Sequence, residues 1–204
     1  IIPDHYMLSP KQQRIKRSFD VVLALLLLPF FVVPIGLLTL MATLSTRQWG
    51  GFSQVRVGQH GKLFRLYKIR SLKGSDHIDP IAIKNSETRF GRWLRKTKLD
   101  ELPQLFNILK GDMSWVGPRP DLPGYADALT GNDRALLQLK PGLTGPATVK
   151  YKDEETLLLQ QPNPQQYNDT VIWPDKVKIN LAYGKTWSLQ KDLYWLWHSL
   201  QPNR

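Results

Sequence analysis

VVLALLLLPFFVVPIGLLTLMATL, from Val21 to Leu44, runs for 24 residues without one charged side chain. At about 1.5 Å per residue it would make roughly 36 Å of helix, enough to cross the hydrocarbon of a bilayer. Pro29 and Pro34 interrupt the run. Each removes a helix hydrogen bond and crowds the turn before it, so a kink or break of the membrane segment is expected at these prolines. The run is too long for a cleaved signal peptide, and no small-residue cleavage site follows it. A kinked spanning helix and a re-entrant hairpin remain. Lys11, Arg14, Lys16 and Arg17 precede the run, and Arg47, Arg56 and a strongly basic segment follow it. Both flanks read as cytoplasmic by the positive-inside rule, which favours the hairpin.

Outward from this segment, the 204 residues suffice for one core without disulfides, and there is no cysteine. That excludes thiolate nucleophiles and Cys-ligated metal, and it fits a reducing compartment. The net charge of +11 is uneven: residues 1–50 carry +3, residues 51–120 carry +8 and residues 121–204 carry 0. A basic middle points to a polyanionic partner, either nucleic acid, anionic lipid or a phosphorylated small molecule. Surplus surface lysine for solubility is the plain alternative.

The expected architecture is α+β and mainly helical: a re-entrant membrane helix-hairpin over residues 1–48, then a small cytosolic domain over 49–204 with a β-hairpin and amphipathic interfacial helices. Phe52–Val57 and Lys62–Ile69 read as strands joined by the Gly58–Gly61 turn. Residues 73–86 read as irregular, Glu87–Lys96 as a short basic helix and Tyr125–Leu139 as a helix. Asp100 reads as the N-cap of a helix whose apolar face is Leu102, Leu105, Phe106 and Leu109. Residues 160–175 read as loop. A last helix carries Leu189, Leu193, Leu196 and Leu200 among Tyr194, Trp195 and Trp197, an aromatic cluster that suits either a core or a membrane-interface belt.

By itself Asp100-Glu101 marks only a helix start. Its surroundings change the reading. Arg89, Arg92, Arg95, Lys96 and Lys98 lie upstream, and Arg119 stands downstream between two prolines that fix its backbone. Two carboxylates amid such cations suit a Mg²⁺–diphosphate site: Mg²⁺ takes carboxylate and phosphate oxygens, and Arg forks engage phosphates. A carboxylate can also attack phosphorus to give an acyl phosphate. None of the four histidines, His5, His60, His77 and His198, stands in a catalytic setting. HExxH, GxSxG, Walker A and GxGxxG are all absent.

With these residues in place, the chain resembles the bacterial sugar transferases, monotopic polyprenol-phosphate phosphoglycosyl transferases, in their minimal single-domain form. The resemblance begins at Lys16-Arg17-Ser18-Phe19-Asp20 and runs through FSQVRVGQHGKLFRLYKIRSL (52–72). It is strongest in KLDELPQLFNILKGDMSWVGPRP (98–120) and resumes at KPGLTGPATV (140–149). It implies transfer of a sugar-1-phosphate from a UDP-sugar to undecaprenyl phosphate with release of UMP. In that scheme Asp100 is the nucleophile of a phosphosugar–aspartyl intermediate, and Glu101 holds Mg²⁺ beside Asp100. Lys68, Arg95, Arg119 and Pro120 match the family's phosphate-binding positions. The resemblance also implies a helix re-entrant at proline, membrane lipid contacts, and a place at the cytoplasmic face of the bacterial inner membrane. It implies no nucleic-acid partner. A homo-oligomer is compatible with the sequence, but no feature calls for one.

Two positions depart from the family's pattern. Pro146-Ala147-Thr148 stands where many relatives carry Trp-Ala-Gln, and Asn180 stands where many carry Asp. Two other function classes compete with the enzyme. A membrane-tethered binding module would use the basic segment on nucleic acid or anionic lipid, but the aromatics of 51–120 form no stacking platform. A catalytically inactive scaffold is opposed by the intact Asp100-Glu101 pair and Arg119.

Overall fold

The computed structural model describes residues 8–74 and 86–201. The irregular stretch expected over 73–86 lies mostly outside these residues, as do His5 and His77. The fold is mainly helical α+β. Helix α1 spans Pro10–Thr46, and its start is fixed locally. Ser9 accepts a hydrogen bond from the Gln12 amide, the Gln12 side chain accepts one back from the Ser9 amide, and Pro10 fills the first helical position. The helix therefore starts eleven residues before the apolar run. It continues through Pro29 and Pro34 without a terminus, so the helix break and hairpin expected at these prolines are not seen, and it stops where Arg47 turns left-handed at φ 57°. It is long and apolar enough to cross a membrane, with a mean hydropathy of 2.9 over its best 18-residue window.

One stripe of α1 packs on the rest of the chain. Ala24 and Ala42 are buried, with Leu23, Leu27 and Phe31 against the main core and Leu38 against a second cluster of Ile69 and Leu94. The other face is bare: Phe30 is 74% and Leu44 73% exposed. The basic flank packs inward. Arg17 donates to the carbonyls of Ile108 and Leu109, at 2.5 and 2.7 Å. Asp20 accepts from the Ser114 hydroxyl and the Trp115 amide. Lys16 is buried in an ion pair with Asp192, 2.6 Å away. The Lys-Arg-Ser-Phe-Asp segment thus clamps the start of α1 onto the core.

Strands β1 (Gly51–Val57) and β2 (Leu63–Ile69) pair antiparallel around a 3₁₀ turn at Gln59–Gly61, with Phe52 opposite Lys68. Gly50 lets the chain fold back against α1, since a Cβ there would meet the Thr39 carbonyl oxygen at 2.0 Å. Helix α2 (Arg89–Thr97) is capped by Thr88, whose hydroxyl accepts from the Gly91 amide. Leu94 is buried, but Trp93 is 46% exposed. After a 3₁₀ turn at Leu99–Glu101 comes α3 (Gln104–Lys110), closed by Gly111 in the left-handed region. Its inward face is Gln104, Leu105, Asn107 and Ile108, and the expected member Phe106 is 37% exposed. Asn107 is fully buried because it completes the edge of β2: its side chain accepts from the Tyr67 amide and donates to the Arg65 carbonyl.

Strand β3 (Ser114–Val116) pairs in parallel with β4 (Gly142–Thr144). Where the two continue, backbones touch. The Gly142 amide donates to the Pro118 carbonyl at 2.7 Å, and a Cβ on Gly117 would meet the Lys140 carbonyl oxygen at 2.3 Å. This crossing fixes the base of the Pro118-Arg119-Pro120 loop. Between the strands, the helix expected at Tyr125–Leu139 is instead two 3₁₀ segments, Ala126–Ala128 and Gly131–Gln138, separated by extended backbone at Leu129 and Thr130. Gly131 has φ 57°, which ends any continuous α-helix there.

Helices α4 (Pro146–Lys150), α5 (Glu154–Leu159) and α6 (Pro164–Tyr167) are short. Residues expected as loop are helical from Pro164, pass through a π-turn at Asn168–Ile172, and run into α7 (Trp173–Lys185). Of the prolines that suggested loop, Pro164 and Pro174 occupy first-turn positions, where no amide donor is missed, and Pro162 lies in the bend before α6. Helix α8 (Leu189–Leu200) is the expected last helix. Its buried residue is Asp192, whereas Leu193, Trp197 and Leu200 are exposed and Trp195 and Leu196 pack on the core.

Candidate active site

Asp100 and Glu101 lie in the 3₁₀ turn between α2 and α3, so Asp100 does not cap a helix as expected. The residue before the turn, Lys98, takes φ 56°, a conformation β-carbon sterics disfavour. This reversal carries the chain from the exposed end of α2 into the interior and buries both carboxylates. Asn107 holds β2 beside α3, and β2 brings Lys68 over the pair.

The two acids have different partners. Glu101 Oε1 accepts from Arg119 Nη2 at 2.7 Å and from Lys68 Nζ at 3.1 Å. Asp100 lies 3.9 Å from Lys68 Nζ and accepts no hydrogen bond among the described residues. Their proton affinities diverge accordingly. Burial pushes Glu101 up, but the charges and hydrogen bonds of Arg119 and Lys68 outweigh it and hold the carboxyl well below the usual range. Asp100 is raised, first by burial and then by its neighbour Glu101, against the pull of Lys68, Arg95 and Arg119. Adjacent carboxyls driven apart in this way can take separate roles. Glu101 is a fixed charge, and Asp100 keeps unengaged oxygens.

Arg119 stands on a loop tied to the hairpin. The Val57 amide donates to the Asp121 carbonyl at 2.9 Å, and Arg56 donates to the carbonyl of buried Pro120 at 3.3 Å. Pro120 therefore shapes the loop, with its ring away from the cleft lining. Glu101 raises the Arg119 guanidinium's proton affinity further, so it stays charged. Arg95 also reaches this region, but Glu87 lies 3.4 Å from its Nε and Glu155 of α5 pairs with its Nη2.

Lys68, Arg95, Asp100 and Arg119 line two cavities at once: a cleft of about 650 Å³ and a smaller one of about 230 Å³ toward Phe52 and Ser71. The larger cleft is walled by α5 and α7. Sequence reasoning missed most of that wall: Glu155, Tyr151, Trp173 and Lys176, together with Asp121, which burial raises to about 6. Isolated side chains spread over separate loops and helices carry no periodic signal that would have marked them. Thr148 Oγ1 and Asn180 Oδ1 are buried without a partner, and both residues line this cleft. Both belong to the segments that the sequence reading marked as departing from the family's pattern.

The donor set fits Mg²⁺. Two adjacent carboxylates are present, one with free oxygens, and no group of three or more Asp, Glu, His or Cys forms a closed metal cage among the described residues. Mg²⁺ is held in this way at phosphate sites, by one or two carboxylates with the remaining ligands coming from phosphate and water.

The family model for "Bacterial sugar transferase" matches residues 11–202. An undecaprenyl-phosphate galactose phosphotransferase of Salmonella typhimurium is 34% identical over 200 residues, covering 88% of this chain and 38% of the relative. A UDP-glucose:undecaprenyl-phosphate glucose-1-phosphate transferase of Caulobacter vibrioides is 35% identical over 185 residues, covering 87% and 65%. An uncharacterized sugar transferase of Bacillus subtilis, EpsL, is 35% identical over 185 residues, covering 88% and 82%. The chain thus spans between about two fifths and four fifths of the relatives it matches.

Proposed function

The chain belongs to the bacterial sugar transferase family, and on that premise we propose that it moves a sugar-1-phosphate from a UDP-sugar to undecaprenyl phosphate, releasing UMP. The observation that carries this reading is the shared carboxylate: Asp100, with free oxygens, opens on two cavities lined by the same three cations. Two substrates can then meet one nucleophile in turn. An Asp100 oxygen attacks the β-phosphorus of the donor, the bond to the bridging oxygen breaks, and UMP leaves with that electron pair. A phosphate oxygen of the polyprenyl acceptor then attacks the same phosphorus, and Asp100 leaves as a carboxylate. Ping-pong kinetics follow from this order.

Glu101 orients Arg119 and Lys68 toward the phosphoryl oxygens, where charge neutralisation is most of the work. A donor phosphate reaches Arg95 by displacing Glu155. Asp100 and Glu101 are the residues that would hold Mg²⁺, which when bound would neutralise diphosphate charge. UMP release from a panel of UDP-sugars, with Mg²⁺ and undecaprenyl phosphate, tests the reading. Turnover with one sugar that is lost on chelation supports it, and silence across the panel with folded protein sinks it. Arg119→Ala is expected to lower kcat/KM by about 10²–10³-fold, in the range for removing a charge-stabilising donor. Arg119→Lys should recover little, since a point charge does not replace a two-pronged fork.

The re-entrant reading of α1 at the cytoplasmic face belongs to the same proposal. Both ends of the helix pack on one globular body: Arg17 and Asp20 against Ile108 and Trp115, Ala42 against Leu94, and Ser45 hydrogen-bonded to Thr88. The bare apolar face between them is what lipid would cover. In a chain without cysteine, Lys11→Cys and Thr130→Cys are expected to react with an impermeant maleimide only after the cells are opened. Labelling of Lys11→Cys on intact cells would put the start of α1 outside and end the re-entrant reading.

A further inference from the structure

A second cavity, of about 540 Å³, lies at the start of α1 and shares no lining residue with the Asp100 cleft. Its walls carry Arg14, Lys16, Arg17 and Lys140 against one carboxylate, Asp20. Lys16 is engaged by Asp192, and Arg17 by two backbone carbonyls. Arg14 and Lys140 have no hydrogen bond or ion pair among the described residues. Lys140 is half-buried, and burial and then the charge of Arg17 push its proton affinity down against the pull of Asp20 and Asp112. Gln138 Oε1 is buried without a partner and belongs to the same wall. Leu8, Pro10, Val116 and Leu139 give the lining an apolar side, and Gln13, Ser18 and Gln59 add polar groups. Tyr183 is the one aromatic ring among the lining residues, so a base has little to stack on.

The position along α1 narrows the occupant. Val21, where the apolar run begins, is seven residues beyond Arg14, about 10 Å along a helix axis. With the bare face of α1 in hydrocarbon, the cavity lies at head-group depth, where the available anion is a lipid phosphate. Cations beside an apolar wall of Leu8, Pro10, Val116 and Leu139 suit an amphiphile better than a free ion.

We infer that this cavity binds the phosphodiester head group of an anionic membrane lipid, with the phosphate at Arg14 and Lys140 and the acyl chains on the exposed face of α1. The head group's hydroxyl donates to Gln138 Oε1. The site holds a structural lipid, separate from the acceptor that meets Asp100. It rests on the membrane placement of α1 and is independent of the transfer reaction.

The test uses the full chain in phosphatidylcholine nanodiscs, with and without phosphatidylglycerol, followed by thermal unfolding and by native mass spectrometry. Phosphatidylglycerol is expected to raise the melting temperature by about 5–10 °C and to remain bound on release from the disc. Arg14→Ala with Lys140→Ala should lose most of that rise and the bound lipid. Arg14→Lys with Lys140→Arg should keep both, as should Arg134→Ala, whose side chain caps the Asp127 and Leu129 carbonyls elsewhere. If the double alanine variant does not fold, Arg14→Gln alone, on an exposed side chain, should at least halve the rise. An undiminished response in whichever of these neutralised variants folds would overturn the proposal. So would inorganic phosphate giving the same rise in phosphatidylcholine alone, which would make this a small-anion site.

Discussion

Asp100→Asn is expected to abolish UMP release, by at least about 10³-fold, and to melt at a higher temperature than the parent protein. The first half follows from the nucleophile's role, since an amide oxygen cannot replace a carboxylate in attacking phosphorus. The second follows from Asp100's environment. Burial raises its pKa above the ordinary 3.8. An acid with a raised folded pKa binds more protons folded than unfolded, so its ionisation costs stability as pH rises through the folded value, and that cost is present at neutral pH. Asn removes the charge and keeps the shape. Glu101→Gln should behave in the opposite way. Glu101 is depressed, so its contribution is present above the unfolded pKa and is lost only as pH falls through the folded one. Gln keeps an acceptor oxygen but removes the charge that offsets Arg119 and Lys68, and the protein should melt lower. Intact-mass measurement separates chemistry from binding. Incubated with donor and no acceptor, the parent chain should gain the mass of one phosphosugar and Asp100→Asn none. Turnover within tenfold of the parent in Asp100→Asn would remove it as the nucleophile.

The contrast between the two carboxylates was not legible in the sequence, although the pair itself was. The hairpin, the helix from Arg89 and the last helix followed from alternation, turn glycines and capping residues, all local signals. Asp100 as an N-cap failed because Lys98 takes a left-handed turn just before it, and nothing in a lysine announces that. Tyr125–Leu139 failed for a related reason. Its apolar residues suit a helix face, but Gly131 breaks the run and the tertiary fit favours two tight segments. The loop expected over 160–175 overweighted proline, which is tolerated in a first helical turn. That reading hid α6 and the first residues of α7; the rest of α7, the cleft wall that holds Asn180 and Lys176, drew no assignment at all. Pairings such as Glu155 with Arg95 join residues 60 positions apart. Charge counting can place such groups in a basic region but cannot say which acid meets which base.

The largest loss of stability is expected far from the chemistry, at Asp192. Its carboxylate is fully buried and is reached from three directions. Lys16 Nζ lies 2.6 Å from Oδ2, the Tyr183 hydroxyl donates to Oδ1 at 2.6 Å, and Trp187 Nε1 donates to Oδ2 at 3.0 Å. Lys16 also donates to the Tyr183 hydroxyl at 3.1 Å, which ties the start of α1, the end of α7 and the first turn of α8 into one network. Replacing such a pair by apolar residues can be neutral, but removing one partner leaves the other charge buried with nothing opposite it. Asp192→Ala strands Lys16 and leaves two buried donors short of an acceptor. It should cost about 3–5 kcal/mol, read as a melting temperature lower by about 6–20 °C in nanodiscs. Asp192→Asn should fall less, because it keeps an acceptor for the hydroxyl and the indole. Lys16→Met with Asp192→Leu should recover much of the loss, since it removes both charges together. If Asp192→Ala melted within about 2 °C of the parent, the network would not hold α1 to the core, and the placement of α1 on the globular body would need another anchor.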